Sequence, residues 1–266
     1  MTTVQQVTSH HWRVPARPFT VHTEDGVRIE GTRLGAPGTE LPAVVMAHGV
    51  MGWHRKPRFA VFAELLTDAF TVYAPDLRGH GESGGLSDYG GAEMWDIEAV
   101  LQLARRVGHR QVITVGTSMG AIAAIRHAGL IGGEDVIVSI SSLAYWDWHA
   151  GADPKARRSF EARVGTAAGR AALRAWGVRL PDTWEPPESP EDVAGKIAPT
   201  PLIVVHGKDD ALFSPDHAQR LFDAAHDPKR LLLGDRFGHA EDGLSPAFAT
   251  RLTRVILEEL GEAWSG

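Results

Sequence analysis

Short, nearly uninterrupted apolar runs recur along this chain, separated by longer stretches whose apolar residues are spaced as in a helix. The run at 43–47, Ala-Val-Val-Met-Ala, contains no polar residue, which is typical of a strand buried on both faces of a sheet. Comparable runs occur at 71–74, 112–115, 136–140, 202–205 and 231–233. Helical spacing is found at 57–70, 94–107, 119–128, 215–225 and 246–260. This alternation predicts an α/β fold, in which a mostly parallel, twisted sheet carries helices on both faces.

The start of the chain differs, because two alternating segments at 19–23 and 27–31 are joined by Glu24-Asp25-Gly26. An Asp-Gly pair between alternating segments is a hairpin signal. We therefore expect an antiparallel N-terminal hairpin before the parallel part of the sheet.

Residues 143–198 interrupt the alternation, since they contain no strand-like run. Two helices are predicted there, at 154–164 and 167–176. The larger aromatic residues of this stretch are Tyr145, Trp146, Trp148, Trp176 and Trp184. We interpret the stretch as a small helical cap inserted over the carboxyl edge of the sheet, with residues 1–142 and 199–266 forming the core. The alternative is a pair of ordinary surface helices with a small core of their own.

A Gly-x-Ser-x-Gly pattern, Gly116-Thr117-Ser118-Met119-Gly120, lies directly between a predicted strand and a predicted helix. The pattern alone is weak, but this strand–turn–helix context is that of a nucleophile elbow. So tight a turn holds the serine in a strained conformation and leaves no room for side chains two residues away on either side. It also presents Ser118 at a helix N-terminus, where a developing anion is favoured.

Together with this elbow, several loops resemble those of the α/β-hydrolase superfamily, and the resemblance covers nearly the whole chain. They are His48-Gly49 (oxyanion loop), Asp-Leu-Arg-Gly-His-Gly-Glu-Ser at 76–83 (a common superfamily loop), His-Gly-Lys-Asp-Asp at 206–210 (acid loop) and Gly238-His239 (histidine loop). The resemblance implies the α/β-hydrolase fold. It also implies a catalytic triad whose serine, acid and histidine follow one another in that chain order.

By this resemblance Ser118 is the nucleophile and His239 is the base that takes its proton. The family pattern Gly-x-x-Asp, counted from Gly207, selects Asp210 as the acid that orients the histidine. Asp209 would then be exposed. Asp147, after the strand at 136–140, occupies a second position at which the superfamily sometimes keeps its acid, so both aspartates remain alternatives.

The resemblance further implies that the backbone N–H groups of Val50 and Met119 bind the oxyanion.

Three other histidines are expected to support the structure rather than to take part in catalysis. His48 and His206 stand beside glycines at strand ends and are expected to shape loops, and His80 is expected to bond to the backbone of its own loop. The candidates for substrate binding are Trp53, His54, Tyr145, Trp146, Trp148 and Trp176.

These features predict a serine hydrolase that cleaves a carboxylic ester, or a lactone or thioester, of a small to medium, partly apolar substrate through an acyl-enzyme. The stretch 48–81 is similar to that of cap-bearing esterases of the feruloyl-esterase and serine-aminopeptidase branches. Carbon–carbon bond hydrolysis by the same triad is an alternative, as is a ligand receptor without turnover. Dehalogenases and epoxide hydrolases of this fold use an aspartate nucleophile, and Ser118 argues against both.

Composition limits the remaining possibilities. The absence of cysteine excludes disulfides, thiolate nucleophiles and cysteine metal sites, and the net charge of −6 is opposite to that of a nucleic-acid-binding surface. His48, His206, Asp209 and Asp210 lie on different predicted strands, so no metal or other cofactor is expected.

With no signal peptide or membrane-spanning run, we expect a cytoplasmic protein. Its expected partner is a small molecule, and a homodimer is one option for its oligomeric state.

Overall fold

The computed structural model describes residues 8–147, 149 and 151–262. Its strands are β1 (Ala16–His22), β2 (Arg28–Leu34), β3 (Ala43–Ala47), β4 (Thr71–Pro75), β5 (Val112–Thr117), β6 (Val136–Ile140), β7 (Leu202–Gly207) and β8 (Lys229–Gly234). They form one sheet in the order β1-β2-β4-β3-β5-β6-β7-β8. β2 pairs antiparallel with β1 and β4, whereas all neighbours from β4 to β8 are parallel. The predicted α/β fold with an antiparallel start is confirmed.

Helices cover both faces of this sheet. They are α1 (Pro57–Leu66), α2 (Glu93–Arg106), α3 (Met119–Leu130), α4 (Pro154–Val164), α5 (Ala167–Ala175), α6 (Pro190–Ala194), α7 (Asp216–Ala224) and α8 (Pro246–Glu259). Phe59 of α1 and Ile256 of α8 belong to one hydrophobic core. Val100 of α2, Ala124 of α3 and Leu221 of α7 belong to the other. Among the described residues, no helix combines the length and the apolar character needed to span a bilayer.

The strand β3 shows why the central runs contain no polar residue. Its successive side chains alternate between the two cores: Val44 and Met46 pack with α1 and α8, whereas Val45 and Ala47 pack with the opposite core. All of them are fully buried. A polar side chain on either face would lose its contact with water, which costs free energy unless a hydrogen bond replaces it.

The chain between β6 and β7 forms α4, α5 and α6, although these two strands are neighbours in the sheet. The bounds of α4 agree with the sequence prediction, and α5 ends one residue earlier than predicted, whereas α6 has no counterpart in it. A capping box of Ser189 and Asp192 starts α6 within the proline-rich stretch. The assignment of residues 143–198 to a separate cap domain stays a prediction.

A buried ionic cluster lies near the end of α3, where the ring of His127 bonds to the carboxylates of Glu134 and Glu98. The His127 side chain is completely buried. Burial alone would lower the pKa of His127, but the hydrogen bonds to Glu134 and Glu98 outweigh burial and raise that pKa to about 9. His127 is therefore charged in the folded chain at neutral pH.

This cluster makes stability depend on pH, because an unfolded histidine has a pKa near 6.5. The stabilisation is fully present below pH 6.5 and is lost as the pH rises through about 9. We expect the free energy of unfolding to fall by roughly 2 to 3 kcal/mol over this interval in urea denaturation. His127→Gln should remove most of this pH dependence, whereas His22→Gln, at an exposed histidine, should leave it intact. An unchanged dependence in His127→Gln would contradict the assignment.

Candidate active site

The turn between β5 and α3 holds Ser118 in a backbone conformation that non-glycine residues rarely adopt, with φ 51° and ψ −118°. Glycines flank it because there is no room for side chains. A Cβ on Gly116 would lie 2.3 Å from the carbonyl oxygen of Gly120, and a Cβ on Gly120 would lie 2.3 Å from that of Ala47. This tight strand–turn–helix geometry places Ser118 at the carboxyl edge of the sheet.

Two further loops at the same edge bring an imidazole and a carboxylate to this serine. His239 follows β8, and its Nε2 lies 3.0 Å from Ser118 Oγ. Asp210 follows β7, and its Oδ2 lies 2.8 Å from His239 Nδ1. The other oxygen of Asp210 accepts hydrogen bonds from the backbone N–H groups of Leu212 and Phe213, each at 2.9 Å. The three predicted triad residues thus form one continuous chain of hydrogen bonds.

The surroundings of Asp210 keep its carboxyl ionised. Burial would raise the pKa of Asp210, but the hydrogen bond from His239, its positive charge when protonated and the Phe213 N–H outweigh burial, so the pKa lies below its usual range. His206 Nε2–H donates to the Phe213 carbonyl at 3.0 Å. Burial lowers the pKa of His206, which therefore stays neutral and supports the acid loop.

The loop after β3 passes directly over Ser118. A Cβ on Gly49 would lie 3.2 Å from Ser118 Cβ, which is tighter than most Cβ contacts, so glycine suits this close approach. The next residue, Val50, lines the same cavity as Ser118, and its backbone N–H makes no hydrogen bond to a described residue. Met119 is the first residue of α3, where a backbone N–H has no partner within the helix. Both predicted oxyanion donors therefore border Ser118.

Two buried histidines fix this loop. His48 Nδ1–H donates to the Gly49 carbonyl at 2.8 Å, and its Nε2 accepts from the Leu77 N–H at 3.0 Å. The ring nitrogens of His80 contact the carbonyl oxygens of Arg78 and Val50. These contacts agree with the structural roles predicted for His48 and His80.

Two cavities meet at Ser118, and Val50, Ser118 and Phe160 line both. The larger has a volume of about 360 Å³, and the smaller has about 210 Å³. Apolar side chains line most of the larger cavity: Met119, Ile122, Leu143, Trp146, Val164, Trp184 and Phe213. His239 lines the smaller cavity together with Gly49, Lys56 and Glu241. The serine is thus reached from two sides that differ in size and polarity.

A family model described as the alpha/beta hydrolase family matches residues 44–259. The chain belongs to this family. The uncharacterized protein YfhR from Escherichia coli strain K12 is 22% identical to this hydrolase over 259 residues, covering 94% of this chain and 82% of YfhR. The uncharacterized protein YqkD from Bacillus subtilis is 28% identical over 231 residues, covering 84% of this chain and 72% of YqkD.

Solved structures share the fold of this hydrolase. The esterase Pf2001 from Pyrococcus furiosus superimposes with a TM-score of 0.73 at 19% identity, covering 97% of this chain and 98% of that one. The alpha/beta hydrolase GrgF from Penicillium sp. sh18 gives a TM-score of 0.69 at 16% identity, covering 93% of this chain and 98% of that one. At such identities the likeness concerns the fold alone.

Of the predicted substrate-binding residues, Trp146 lines the larger cavity of the hydrolase, but Trp53 and His54 do not. They line a separate cavity that includes Asp76. Trp53 Nε1–H donates to Ser9 Oγ at 3.0 Å, and His54 Nδ1 lies 2.8 Å from Asp76 Oδ1. The prediction for these two residues is corrected, because the chain turns from the loop after β3 toward the N-terminal segment.

Tyr145 and Trp176 also lie outside the larger cavity. The ring of Tyr145 packs on His217 at 4.7 Å, with the Arg220 guanidinium 4.5 Å from its centroid. Trp176 is 47% exposed at the end of α5. The remaining candidate, Trp148, falls outside the described residues. The cavity also contains aromatic residues that were not among the substrate-binding candidates, since aromatic residues in loops and on exposed helices have no motif: Tyr89, Phe160, Trp184 and Phe213.

The structure also separates the three candidate acids. Asp209 is exposed. The Asp147 side chain is 78% exposed and lies 3.4 Å from His149 rather than beside His239.

Within residues 8–147, 149 and 151–262, no three metal-ligating side chains of the kinds His, Asp and Glu come together.

A further residue that the sequence interpretation did not single out is Ser141, which follows β6 with φ 53°. Its N–H donates to the Val205 carbonyl at 2.9 Å, and its Oγ accepts from the Ala240 N–H at 3.0 Å. Because Ala240 directly follows His239, Ser141 ties the histidine loop to the sheet. A single serine after a strand carries no sequence signal for this role.

Proposed function

We propose that this hydrolase cleaves carboxylic esters, including lactones and thioesters, through an acyl-enzyme on Ser118. The observation that carries the proposal is the hydrogen-bond chain from Ser118 Oγ through His239 to Asp210. A serine hydroxyl is a weak nucleophile, and a neighbouring base oriented by a carboxylate is the arrangement that activates it.

In the proposed reaction, Ser118 Oγ attacks the ester carbonyl carbon while His239 Nε2 takes the hydroxyl proton. The N–H groups of Val50 and Met119 stabilise the negative charge on the carbonyl oxygen. His239 then protonates the departing alcohol as the carbon–oxygen bond breaks. A water molecule, deprotonated by the same imidazole, releases the acid and restores Ser118.

The two cavities support an assignment of the two parts of the substrate. His239 must reach the leaving group to protonate it, and His239 lines the smaller cavity, so the alcohol part belongs there. The acyl part then belongs in the larger, mostly apolar cavity, whose volume of about 360 Å³ suits a small to medium group.

Because Phe160, Val164 and Trp184 contribute to the wall of the larger cavity, we also propose that residues 143–198 act as a cap. The structural likeness to the Pf2001 esterase is consistent with this chemistry.

Labelling with a fluorophosphonate tests the proposal, because only an activated serine reacts with it. Intact mass should show one adduct on the wild type and none on Ser118→Ala or on heat-unfolded wild type. Hydrolysis of p-nitrophenyl hexanoate should fall by about 10³-fold or more in Ser118→Ala. The absence of an adduct on the folded wild type, or full turnover by Ser118→Ala, would reject the assignment.

A further inference from the structure

Three charged side chains interrupt the apolar lining of the larger cavity: Glu161, Arg170 and Asp182. Glu161 already has charged partners, and Asp182 is in contact with water. Glu161 lies 3.2 Å from His149 and 3.8 Å from Arg157, and its side chain is 44% exposed. Asp182 is 93% exposed, so water screens most of its charge.

Arg170 of α5 differs from both, because its side chain is only 19% exposed. Its guanidinium makes two long hydrogen bonds to described residues. Nη1 donates to the Val164 carbonyl at 3.3 Å, and Nη2 donates at 3.5 Å to Asp182 Oδ1, with whose exposed carboxylate Arg170 also forms an ion pair. A guanidinium carries five N–H donors. Most of its bonding capacity is therefore unused by the described residues, on a wall otherwise made of apolar side chains.

Tyr89 supplies a second donor on the same cavity. Its hydroxyl makes no hydrogen bond to a described residue, and its ring packs edge-on against Trp184 at 5.1 Å. Tyr89 and Arg170 line the same cavity. Burial raises the pKa of the Tyr89 phenol, and the charge of Arg170 acts against that rise. The phenol remains protonated and able to donate at neutral pH.

We propose that Arg170, assisted by the Tyr89 hydroxyl, binds a carboxylate carried by the acyl part of the substrate. A guanidinium fork matches the geometry of a carboxylate, and a partly desolvated site strengthens that pairing. Ser118 and these donors line one cavity whose other walls are mostly apolar, so a hydrocarbon spacer suits the part of the substrate between the ester and the carboxylate. The substrate class is then a monoester of a dicarboxylic acid. This inference rests on the proposed ester hydrolysis.

Matched substrate pairs test the inference. Mono-p-nitrophenyl succinate, adipate and suberate carry a terminal carboxylate, whereas p-nitrophenyl butyrate, hexanoate and octanoate have the same acyl lengths without it. The readout is the ratio of kcat/KM for the charged and the neutral member of each pair. For the pair whose length fits, Arg170→Gln should lower this ratio on the order of 10- to 100-fold, the value of hydrogen bonds to a charged group.

Three variants separate binding from structural damage. Arg170→Lys keeps the charge but loses the fork, so its ratio should lie between those of the wild type and Arg170→Gln. Tyr89→Phe should lower the ratio by a smaller factor, on the order of threefold to tenfold. Arg174→Gln removes an exposed arginine from the same helix and should leave the ratio unchanged. A ratio that Arg170→Gln does not alter for any chain length overturns the inference, while hydrolysis of the neutral esters upholds the proposed function.

A binding measurement keeps the two proposals distinct if the wild type hydrolyses nothing. Monomethyl adipate and methyl hexanoate are titrated against Ser118→Ala, and the signal is the change in tryptophan fluorescence, to which Trp146 and Trp184 of the cavity wall contribute. Tighter binding of the adipate, lost on adding Arg170→Gln, supports the carboxylate site even though ester hydrolysis would then be wrong. Equal binding of both compounds overturns the carboxylate site.

Discussion

Asp210→Asn should lower kcat for ester hydrolysis by about 10³- to 10⁴-fold while leaving the fold intact. The reason lies in which oxygen of Asp210 is held by the backbone. Oδ1 accepts from the N–H groups of Leu212 and Phe213, so an asparagine would keep its carbonyl oxygen there and turn its NH2 toward His239. His239 Nδ1 would then have to accept a hydrogen bond, and the proton would move to Nε2, which faces Ser118. An imidazole in that tautomer cannot take the serine proton.

Asp209→Asn is the matched control, because it makes the same chemical change one residue away at an exposed carboxylate. We expect its kcat to stay within about twofold of the wild type, in line with substitutions remote from the reacting atoms. Both variants are measured on p-nitrophenyl hexanoate, with circular dichroism as the check of folding. Equal losses in the two variants would show that Asp210 does not orient the histidine.

Gly116→Ala should destabilise the protein by about 3 kcal/mol or more. The added methyl group would lie 2.3 Å from the carbonyl oxygen of Gly120, and that contact is with backbone, so no side-chain rotation can relieve it. The elbow would have to open, which would move Ser118 away from His239. Urea denaturation should show the lower stability, and fluorophosphonate labelling of the remaining folded fraction should slow.

Gly84→Ala is the control for this change. A Cβ there would lie 3.4 Å from the nearest atom, the carbonyl oxygen of Arg28, which is an ordinary contact. Its free energy of unfolding should stay within about 1 kcal/mol of the wild type. Wild-type stability and labelling in Gly116→Ala would mean that the turn is wider than the structure shows.

The sequence was sufficient to predict the sheet and its helices where burial on both faces leaves a periodic pattern. β3 coincides with its apolar run, and α4 begins at the predicted residue, where Asp153 caps it before Pro154. At the sheet edge the pattern weakens. β8 begins at Lys229, two residues before the predicted run, because an edge strand keeps polar side chains in contact with water.

The sequence pointed to some of the residues that meet at this candidate site and not to others, and both outcomes have physical reasons. Ser118, Asp210 and His239 each follow a strand within a glycine-containing loop, and that local pattern is visible in the chain. Ser141 and Arg170 have no such pattern, since their roles depend on which segments meet across the fold. Trp53 was misplaced for the same reason: its distance along the chain from Gly49 does not reveal the direction in which the loop turns.

The adjacency of β6 and β7 has a consequence for how such a protein can diversify. The segment between these two strands contains α4, α5 and α6 and contributes walls to the larger cavity, but it contains none of Ser118, Asp210 and His239. Under the proposed reaction, substitutions, insertions or deletions in this segment would change which acyl groups fit while Ser118, His239 and Asp210 keep their spacing. Chains that share the strands of this sheet could then act on different substrates by the same proposed reaction. We expect differences in their substrate ranges to track differences in the sequence of this segment rather than of the sheet.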